Sequence, residues 1–144
     1  MSDTSHNYEA DQLRSYENWT VSMHENQTYL GRTYIALARD GEIDPFTDTT
    51  SEEQAELLMV VSSLKIALNK LYQPDLLNYA NLRNTWNHCH WHVIPRYKTS
   101  RFVLGHLFKD ANWGSNYAPY PNIDLPNEVY EKVKTDLATE LNAG

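Results

Sequence analysis

The stretch Asn84–Tyr97, with the sequence NTWNHCHWHVIPRY, decides how the rest of the chain is interpreted. Its histidines alternate with apolar residues, in the order His88, Cys89, His90, Trp91, His92. Successive side chains of a β-strand point to opposite faces, so a strand would place the three imidazoles in one row, roughly 7 Å apart. A helix would scatter the same rings around its axis. The alternation therefore predicts a strand that ends at Pro95, because proline supplies no ladder donor.

Three imidazoles on one strand suit two kinds of chemistry. Neutral imidazole is a ligand for zinc and copper, which favours a metal site. Imidazole also serves as a nucleophile and a proton carrier near neutral pH. A third interpretation is a set of surface histidines, but half of the chain's six histidines fall in this one stretch. No cysteine pair, HExxH motif or carboxylate cluster nearby completes a metal-ligand set, although distant residues could contribute.

The triad His88-x-His90-x-His92, followed by Val93-Ile94-Pro95-Arg96, resembles the signature of the histidine-triad (HIT) superfamily. The continuation into Pro-Arg and the upstream segment Leu77–Asn84 are similar to the family's diadenosine-polyphosphate hydrolase-like members. The chain has Arg83 where such sequences usually have glycine. The resemblance covers roughly Tyr16 to Tyr97. It implies an α+β fold, with an antiparallel β-sheet flanked by helices in a single domain.

The resemblance also implies a nucleotide hydrolase or nucleotidyl transferase that acts on a dinucleoside polyphosphate or an AMP-linked small molecule. His90 corresponds to the nucleophile that attacks the α-phosphate and becomes nucleotidylated. His92 is expected to donate to a phosphate oxygen, and His88 to orient the site or protonate the leaving group. The family needs no obligatory metal or cofactor, although Mg²⁺ can accompany the polyphosphate. A homodimer is expected because the family often forms one.

Four further residues are predicted to bind the substrate. Asn84 lies shortly before the triad, where the family has a polar residue near the phosphates, and Asn78 belongs to the same amide-rich segment. A carboxamide can donate to phosphate oxygens without adding charge, but asparagine is also a common turn residue. His24 and Asn26 lie in a polar turn between two predicted strands, where the family has a nucleotide-contacting residue. A solvated hairpin loop explains either turn residue equally well.

Two other function classes stay open at this stage. One is a nucleotide-binding or scaffolding module that keeps the pocket and has little turnover. The other is a metal-binding protein that uses the three histidines as ligands. Chelator treatment distinguishes the second from the enzyme, because nucleophilic attack by imidazole needs no Lewis acid.

Composition sets the remaining limits. The chain of 144 residues is long enough for one domain with its own core, predicted as residues 16–144 after a partly frayed segment 1–15. A net charge of −7 and a pI near 5.2 disfavour nucleic acid as a partner, which would need a basic surface. The single Cys89 cannot form an internal disulfide. The absence of a long apolar run predicts a cytoplasmic protein without a membrane partner.

The other elements follow from periodicity. A short helix is predicted over Tyr8–Tyr16, and strands over Trp19–Met23 and Arg32–Ala38. A long helix begins at a Thr50–Glu53 capping box and presents an apolar stripe that runs from Leu57 and Leu58 to Tyr72. Phe102–Phe108 is predicted as one strand interrupted by Gly105. Trp113–Pro121 is predicted as an aromatic loop for which surface packing is the default, and closure over a nucleotide or contact with a second subunit are the alternatives. A C-terminal helix, with Pro126 at its start, packs on the outside of the domain.

Overall fold

The protein folds around a five-stranded antiparallel sheet. The computed structural model describes residues 8–143, so residues 1–7 of the segment predicted to be partly frayed lie outside the described part. The strands are β1 (Gln12–Ser15), β2 (Trp19–Met23), β3 (Thr33–Leu37), β4 (Leu76–Ala80) and β5 (His90–Arg96). Their order across the sheet is β1-β2-β3-β5-β4. Two helices, α1 (Ser51–Tyr72) and α2 (Asn127–Asn142), complete an α+β domain and confirm the predicted fold class.

The register between β3 and β5 separates an apolar face from a histidine face. Trp91 pairs with Ile35, whereas His92 pairs with Tyr34 on the next position of the ladder. Ile35 and Val93 are buried in the core beneath the helices, and Trp91 packs against the same core while partly exposed. Because side chains alternate along a strand, His90 and His92 project from the opposite face.

Helix α1 starts as predicted and turns a slightly different face inward. The Thr50 hydroxyl accepts from the Glu53 amide and the Glu53 carboxylate accepts from the Thr50 amide, which completes the capping box. Residues of α1 that face the core share helical spacing: Val60, Leu64, Ala67, Leu68 and Tyr72. Leu58, predicted to belong to this stripe, is exposed. Its neighbour Leu57 packs against the core, and one residue further turns the helix by about 100°.

Three predicted elements differ from the observed ones. In place of a helix over residues 8–16, a 3₁₀ turn at Tyr8–Asp11 leads into β1, so the sheet begins before residue 16. Pairing with β2 and burial of Leu13 outweigh a weak local helix preference. Residues 101–108 form a hairpin, β6 (Arg101–Val103) and β7 (His106–Phe108), in place of one strand. Leu104 and Gly105 both have positive φ, which matches a two-residue hairpin turn.

The histidine strand itself is shifted relative to the prediction. It begins at His90, after His88, and continues through Pro95 to Arg96. Proline is tolerated there because β3 pairs with β5 only as far as Val93, so a donor towards β3 is not required at Pro95. Within the part of the chain that the structure describes, no helix is long and apolar enough to cross a membrane.

Candidate active site

A cavity of about 530 Å³ lies over the histidine face of the sheet. Four parts of the chain line it: the turn after β2, the beginning of β3, the segment 82–86 before β5, and the aromatic loop 117–120. His90 and His92 form its floor from β5. Segments far apart in sequence therefore converge on the triad, and the cavity is large enough for a small ligand.

A series of hydrogen bonds fixes which nitrogen of each triad imidazole carries a proton. The His88 carbonyl accepts from Nδ1 of His90 at 2.6 Å, so Nδ1 carries the proton and Nε2 keeps its lone pair. Nε2 of His90 lies 3.2 Å from Nε2 of His92, which must therefore donate. At its other nitrogen, Nδ1, His92 faces the guanidinium of Arg32, whose Nη2 lies 3.5 Å away and can only donate. Every ring nitrogen in this series has one consistent role.

Burial keeps these imidazoles neutral. Desolvation, the charge of Arg32 and the neighbouring His90 together lower the pKa of His92 from 6.5 to about 4, with desolvation as the largest cause. Desolvation also lowers the pKa of His90, against the opposing effect of its bond to the His88 carbonyl. Desolvation is also the largest cause that lowers the pKa of His24 to about 3, and the ring of His24 lies 5.6 Å from that of His92. At neutral pH Nε2 of His90 therefore carries no proton.

His88 differs from the predicted row of three imidazoles. It precedes β5, and its Nε2 donates to the carbonyl of Leu37 at 2.5 Å. It does not line the cavity, whereas His90 and His92 do. Its contribution to the site comes through its carbonyl, which holds the proton of His90, and through its ring, which stacks under Trp86 at 5.0 Å.

Trp86 is a residue of the site that sequence reasoning missed. Its ring centroid lies 4.5 Å from that of His90, and its side chain remains 49% exposed at the cavity. The indole therefore covers one side of the nucleophile candidate and leaves its own outer surface open. Its place two residues before the first triad histidine was the available signal, since aromatic faces suit stacking on a base.

Of the four residues predicted to bind substrate, the structure brings two to the cavity. His24 and Asn84 line it. Asn26 lies outside the lining, where its amide donates to the Pro121 carbonyl and its oxygen accepts from the Thr28 amide. Asn78 also lies outside, because its oxygen accepts from Nη1 of Arg96 at 2.9 Å. Asn26 therefore uses a donor that a phosphate contact would need, whereas Asn78 uses its amide oxygen to hold the side chain of Arg96.

Two arginines that the sequence did not mark as site residues also line the cavity. Arg32 immediately precedes β3, at a position where the sequence pattern indicated only a strand residue. Arg83, in the place where related sequences usually have glycine, adopts a positive φ of 53°. That conformation suits glycine best, so the chain accepts local strain and gains a cationic side chain at the cavity. Tyr117 and Tyr120 of the aromatic loop complete this side, as the prediction of a loop over the ligand allowed.

No group of three or more His, Cys, Asp or Glu side chains within residues 8–143 is arranged to hold a metal ion. The lining of the cavity includes two cationic side chains, the guanidinium groups of Arg32 and Arg83. The arrangement can therefore bind an anionic ligand, and it can present an unprotonated imidazole nitrogen to it.

Comparison with known proteins shows which fold and which family the chain shares. Its fold matches a histidine triad protein from Marinobacter aquaeolei at a TM-score of 0.75 and 23% identity, covering 94% of this chain and 93% of that one. A histidine triad protein from Bradyrhizobium japonicum matches at 0.75 and 18%, covering 92% of each chain. A hypothetical histidine triad nucleotide-binding protein from Sulfolobus tokodaii matches at 0.67 and 17%, covering 92% of this chain and 84% of that one.

At such low identities these structures establish the fold. No curated protein sequence matches the chain. The model of the HIT domain matches residues 12–99, which is more than half of the chain and includes the whole triad. The chain therefore belongs to the HIT domain family.

Proposed function

We propose that this protein is a nucleotide hydrolase or nucleotidyl transferase that reacts at the α-phosphate of its substrate. The family includes hydrolases and transferases, and the membership of this chain in the family supports a nucleotide-related function. The observation that carries the proposal is the unprotonated Nε2 of His90, which lies at the floor of the cavity and is fixed by the bond from Nδ1 to the His88 carbonyl. A neutral imidazole held in one tautomer is a suitable nucleophile at neutral pH.

The reaction proceeds in two displacements. Nε2 of His90 forms a bond to the α-phosphorus, and the bond from that phosphorus to the leaving group breaks, with its electron pair departing on the leaving group. The imidazole is then cationic, since Nδ1 keeps its proton, and the His88 carbonyl stabilises that charge. Water subsequently attacks the phosphorus, the P–N bond breaks, and the nucleoside monophosphate is released. His92 donates from Nε2 to a phosphate oxygen as charge develops there.

The substrate that we propose is a dinucleoside polyphosphate or an AMP-linked small molecule. Anionic phosphate in a chain of net charge −7 requires local cations, which Arg32 and Arg83 supply. Asn84 and His24 provide further polar contacts along the cavity, and Trp86 offers an aromatic face for a base. No cofactor is required by this chemistry, and Mg²⁺ enters only with a polyphosphate substrate.

Turnover of a nucleotide panel by matched histidine variants tests the proposal. His90→Asn should abolish turnover of every substrate while leaving nucleotide affinity within about tenfold, because it removes the nucleophile more than a binding contact. His106→Asn is the matched control, since His106 belongs to β7 and lies outside the cavity over the triad. It should retain wild-type rates. Equal rates in His90→Asn and wild type would refute the nucleophile assignment.

Chelation separates this mechanism from a metal-dependent one. Activity should survive exhaustive dialysis against a chelator, apart from effects of Mg²⁺ on the free polyphosphate. Activity that follows the zinc content of the preparation, together with stoichiometric zinc in elemental analysis, would favour a metal-binding protein.

One observation favours a second candidate, a nucleotide-binding module with little turnover. His90 is only 6% exposed, and Trp86 covers its ring. An indole in that place opposes the in-line approach of a phosphorus atom unless it moves aside. Saturable nucleotide binding without turnover in the wild type, joined by a gain of turnover in Trp86→Val, would support this candidate.

We also propose that the protein forms a homodimer in the cytoplasm. Strand β4 is an edge of the sheet, and α1 exposes the apolar side chains of Leu58, Met59 and Ile66. An exposed strand edge and apolar helix residues both favour association with a second copy. Light scattering of the purified protein should give twice the monomer mass, and a monomer at all concentrations would exclude the dimer.

A further inference from the structure

We propose that Arg32, flanked by the rings of Tyr117 and Tyr120, forms a second anion subsite, which takes a phosphate or similar anionic group of the substrate beyond the phosphate that His90 attacks. This inference rests on the proposed function, because it assigns a role to the part of the substrate on the other side of the reacting phosphorus. The charge of that part of the substrate is then a determinant of specificity.

The guanidinium of Arg32 is buried and only partly satisfied. Arg32 is 2% exposed, yet its Nε and Nη1 have no hydrogen-bond partner among the residues that the structure describes. No ion pair joins Arg32 to a carboxylate within residues 8–143. A buried charge without a hydrogen-bonded counter-charge is costly, so it indicates a partner that binds from outside.

The surroundings of Arg32 hold it in place without neutralising it. Its guanidinium carbon lies 4.6 Å from the centroid of the Tyr120 ring and 5.6 Å from that of Tyr117. Such cation–π contacts orient the planar group without taking up its N–H donors. Nε and Nη1 lie on different edges of the guanidinium, so each offers an N–H donor to a separate oxygen of an anionic group.

The position of Arg32 relative to the triad separates its subsite from that of the α-phosphate. His92 lies between the two: its Nε2 faces His90 at 3.2 Å, and its Nδ1 faces Arg32 at 3.5 Å. A phosphate bonded to Nε2 of His90 therefore lies on one side of the His92 ring and the guanidinium on the other. A substrate that extends from the α-phosphate past His92 brings its next anionic group to Arg32.

The other charged groups of the cavity are compatible with this assignment. Arg83 adds a second cation to the lining, and Glu25 is the carboxylate of the lining but is exposed to solvent. His24 and His92 lie close to Arg32 and are kept neutral, with pKa values of about 3 and about 4. An anion at Arg32 therefore meets cations and neutral rings in the buried part of the cavity.

The expected consequence is a preference for an anionic leaving group. When the bond from the α-phosphorus to a bridging oxygen breaks, the electron pair leaves on that oxygen and the departing phosphate gains charge. Donation from Nε and Nη1 of Arg32 stabilises this charge. A neutral amine leaving group gains nothing from the same donors.

Calorimetric binding in a His90→Ala background tests the subsite without turnover. The probes are a nucleoside 5′-monophosphate and the matching 5′-diphosphate, chosen for the base that binds best. The diphosphate should bind more tightly. Arg32→Gln should remove that advantage, weakening the diphosphate by about 10- to 100-fold and the monophosphate by less than about threefold. Lys98→Gln, which removes an exposed positive charge outside the cavity, is the control for net charge and should change neither affinity.

The outcomes separate this inference from the proposed function. Equal loss for both nucleotides in Arg32→Gln would place Arg32 at the α-phosphate and overturn the second subsite. An unchanged diphosphate affinity would overturn it as well. Failure of both nucleotides to bind when Arg32 is present would instead refute the proposed function.

A measurement on the wild-type side chain covers the case in which Arg32→Gln does not fold. Nitrogen-15 spectra of the arginine Nε–H groups should show a shift of the Arg32 signal with the diphosphate that the monophosphate does not produce. Equal shifts with both probes, or none with either bound probe, would contradict the subsite. Arg32→Lys should keep a reduced preference for the diphosphate, since it retains the charge but loses the planar array of N–H donors.

Discussion

Arg32 and Arg96 are two buried arginines with opposite surroundings. Arg96, at the end of β5, is 3% exposed and has every donor group engaged: Asp110 accepts two bonds, and Asn78, Asn112 and Ser115 accept the others. Arg32 is equally buried, but two of its three nitrogens have no hydrogen-bond partner among the described residues. Both guanidinium groups also lie over tyrosine rings. Burial and residue type are therefore the same, and only the state of the donors distinguishes a structural arginine from one that awaits a ligand.

The largest expected difference between the two arginines is in how much their replacement lowers the free energy of unfolding. Arg96→Met should lower the free energy of unfolding by about 3–5 kcal/mol, because it leaves Asp110 as a buried carboxylate without its partner. Arg32→Met should change it by less than about 1 kcal/mol in either direction, since it trades two aromatic contacts for relief of an unpaired charge. Urea denaturation in the absence of nucleotide measures both. A similar large loss in the two variants would remove the distinction between the arginines.

The two faces of β5 provide a second, smaller contrast between structure and function. Trp91→Ala should cost about 2–3 kcal/mol, somewhat below the loss typical of a fully buried tryptophan, because Trp91 packs against the core but is partly exposed. His92→Ala, on the cavity face, should cost less than about 1 kcal/mol and should slow turnover. Thermal unfolding and activity are measured on both. A stable but inactive Trp91→Ala beside an unfolded His92→Ala would mean that the faces are reversed.

The charge of Arg32 should also be visible in the titration of its neighbour. Arg32→Met should raise the pKa of His92 above its value of about 4, because one of the causes that lowers it is removed while desolvation remains. An NMR pH titration of the imidazole signals measures this, with Lys98→Gln as the variant that should leave the pKa unchanged. The same pKa in Arg32→Met and wild type would show that the guanidinium does not act on His92.

A pH dependence of stability follows from the same imidazoles. In the folded protein the pKa values of His92 and His24 are about 4 and about 3, below the ordinary value of 6.5. The unfolded chain therefore binds more protons below pH 6.5, and the free energy of unfolding should fall as the pH is lowered from there towards the folded values. The melting temperature should decline less steeply over this range in His24→Asn. An identical decline would mean that His24 is not buried in the neutral form.

The parts of the fold set by local pattern could be predicted from the sequence. Strict alternation placed Trp91 and His92 on opposite faces, and the Thr50–Glu53 capping box fixed the start of α1. The end of the histidine strand depended on its neighbours instead. His88 has the spacing of a strand residue, but the ladder with β3 extends only from Val93 to His90. No local property of the sequence marks where a partner strand stops.

The residues that line the cavity could be predicted only where they lie close in sequence. His90, His92 and Asn84 fall in one stretch, whereas Arg32 and Tyr120 approach the triad from remote segments. Asn78 was predicted to bind substrate but lies outside the cavity. Its amide oxygen accepts a hydrogen bond from Arg96, whose side chain the sequence did not place beside it. Asparagine and arginine are suited to both structural and binding roles, so their role depends on which partners the fold supplies.

The central claim is that His90 carries the chemistry, and covalent trapping tests it most directly. The wild-type protein is mixed with the nucleotide panel, quenched within milliseconds in alkaline denaturant, and analysed by intact-protein and peptide mass spectrometry. We expect an added nucleotidyl mass that maps to His90, appears with His106→Asn, and is absent with His90→Asn. Turnover without any adduct on the wild type, or an adduct that maps to another residue, would contradict it.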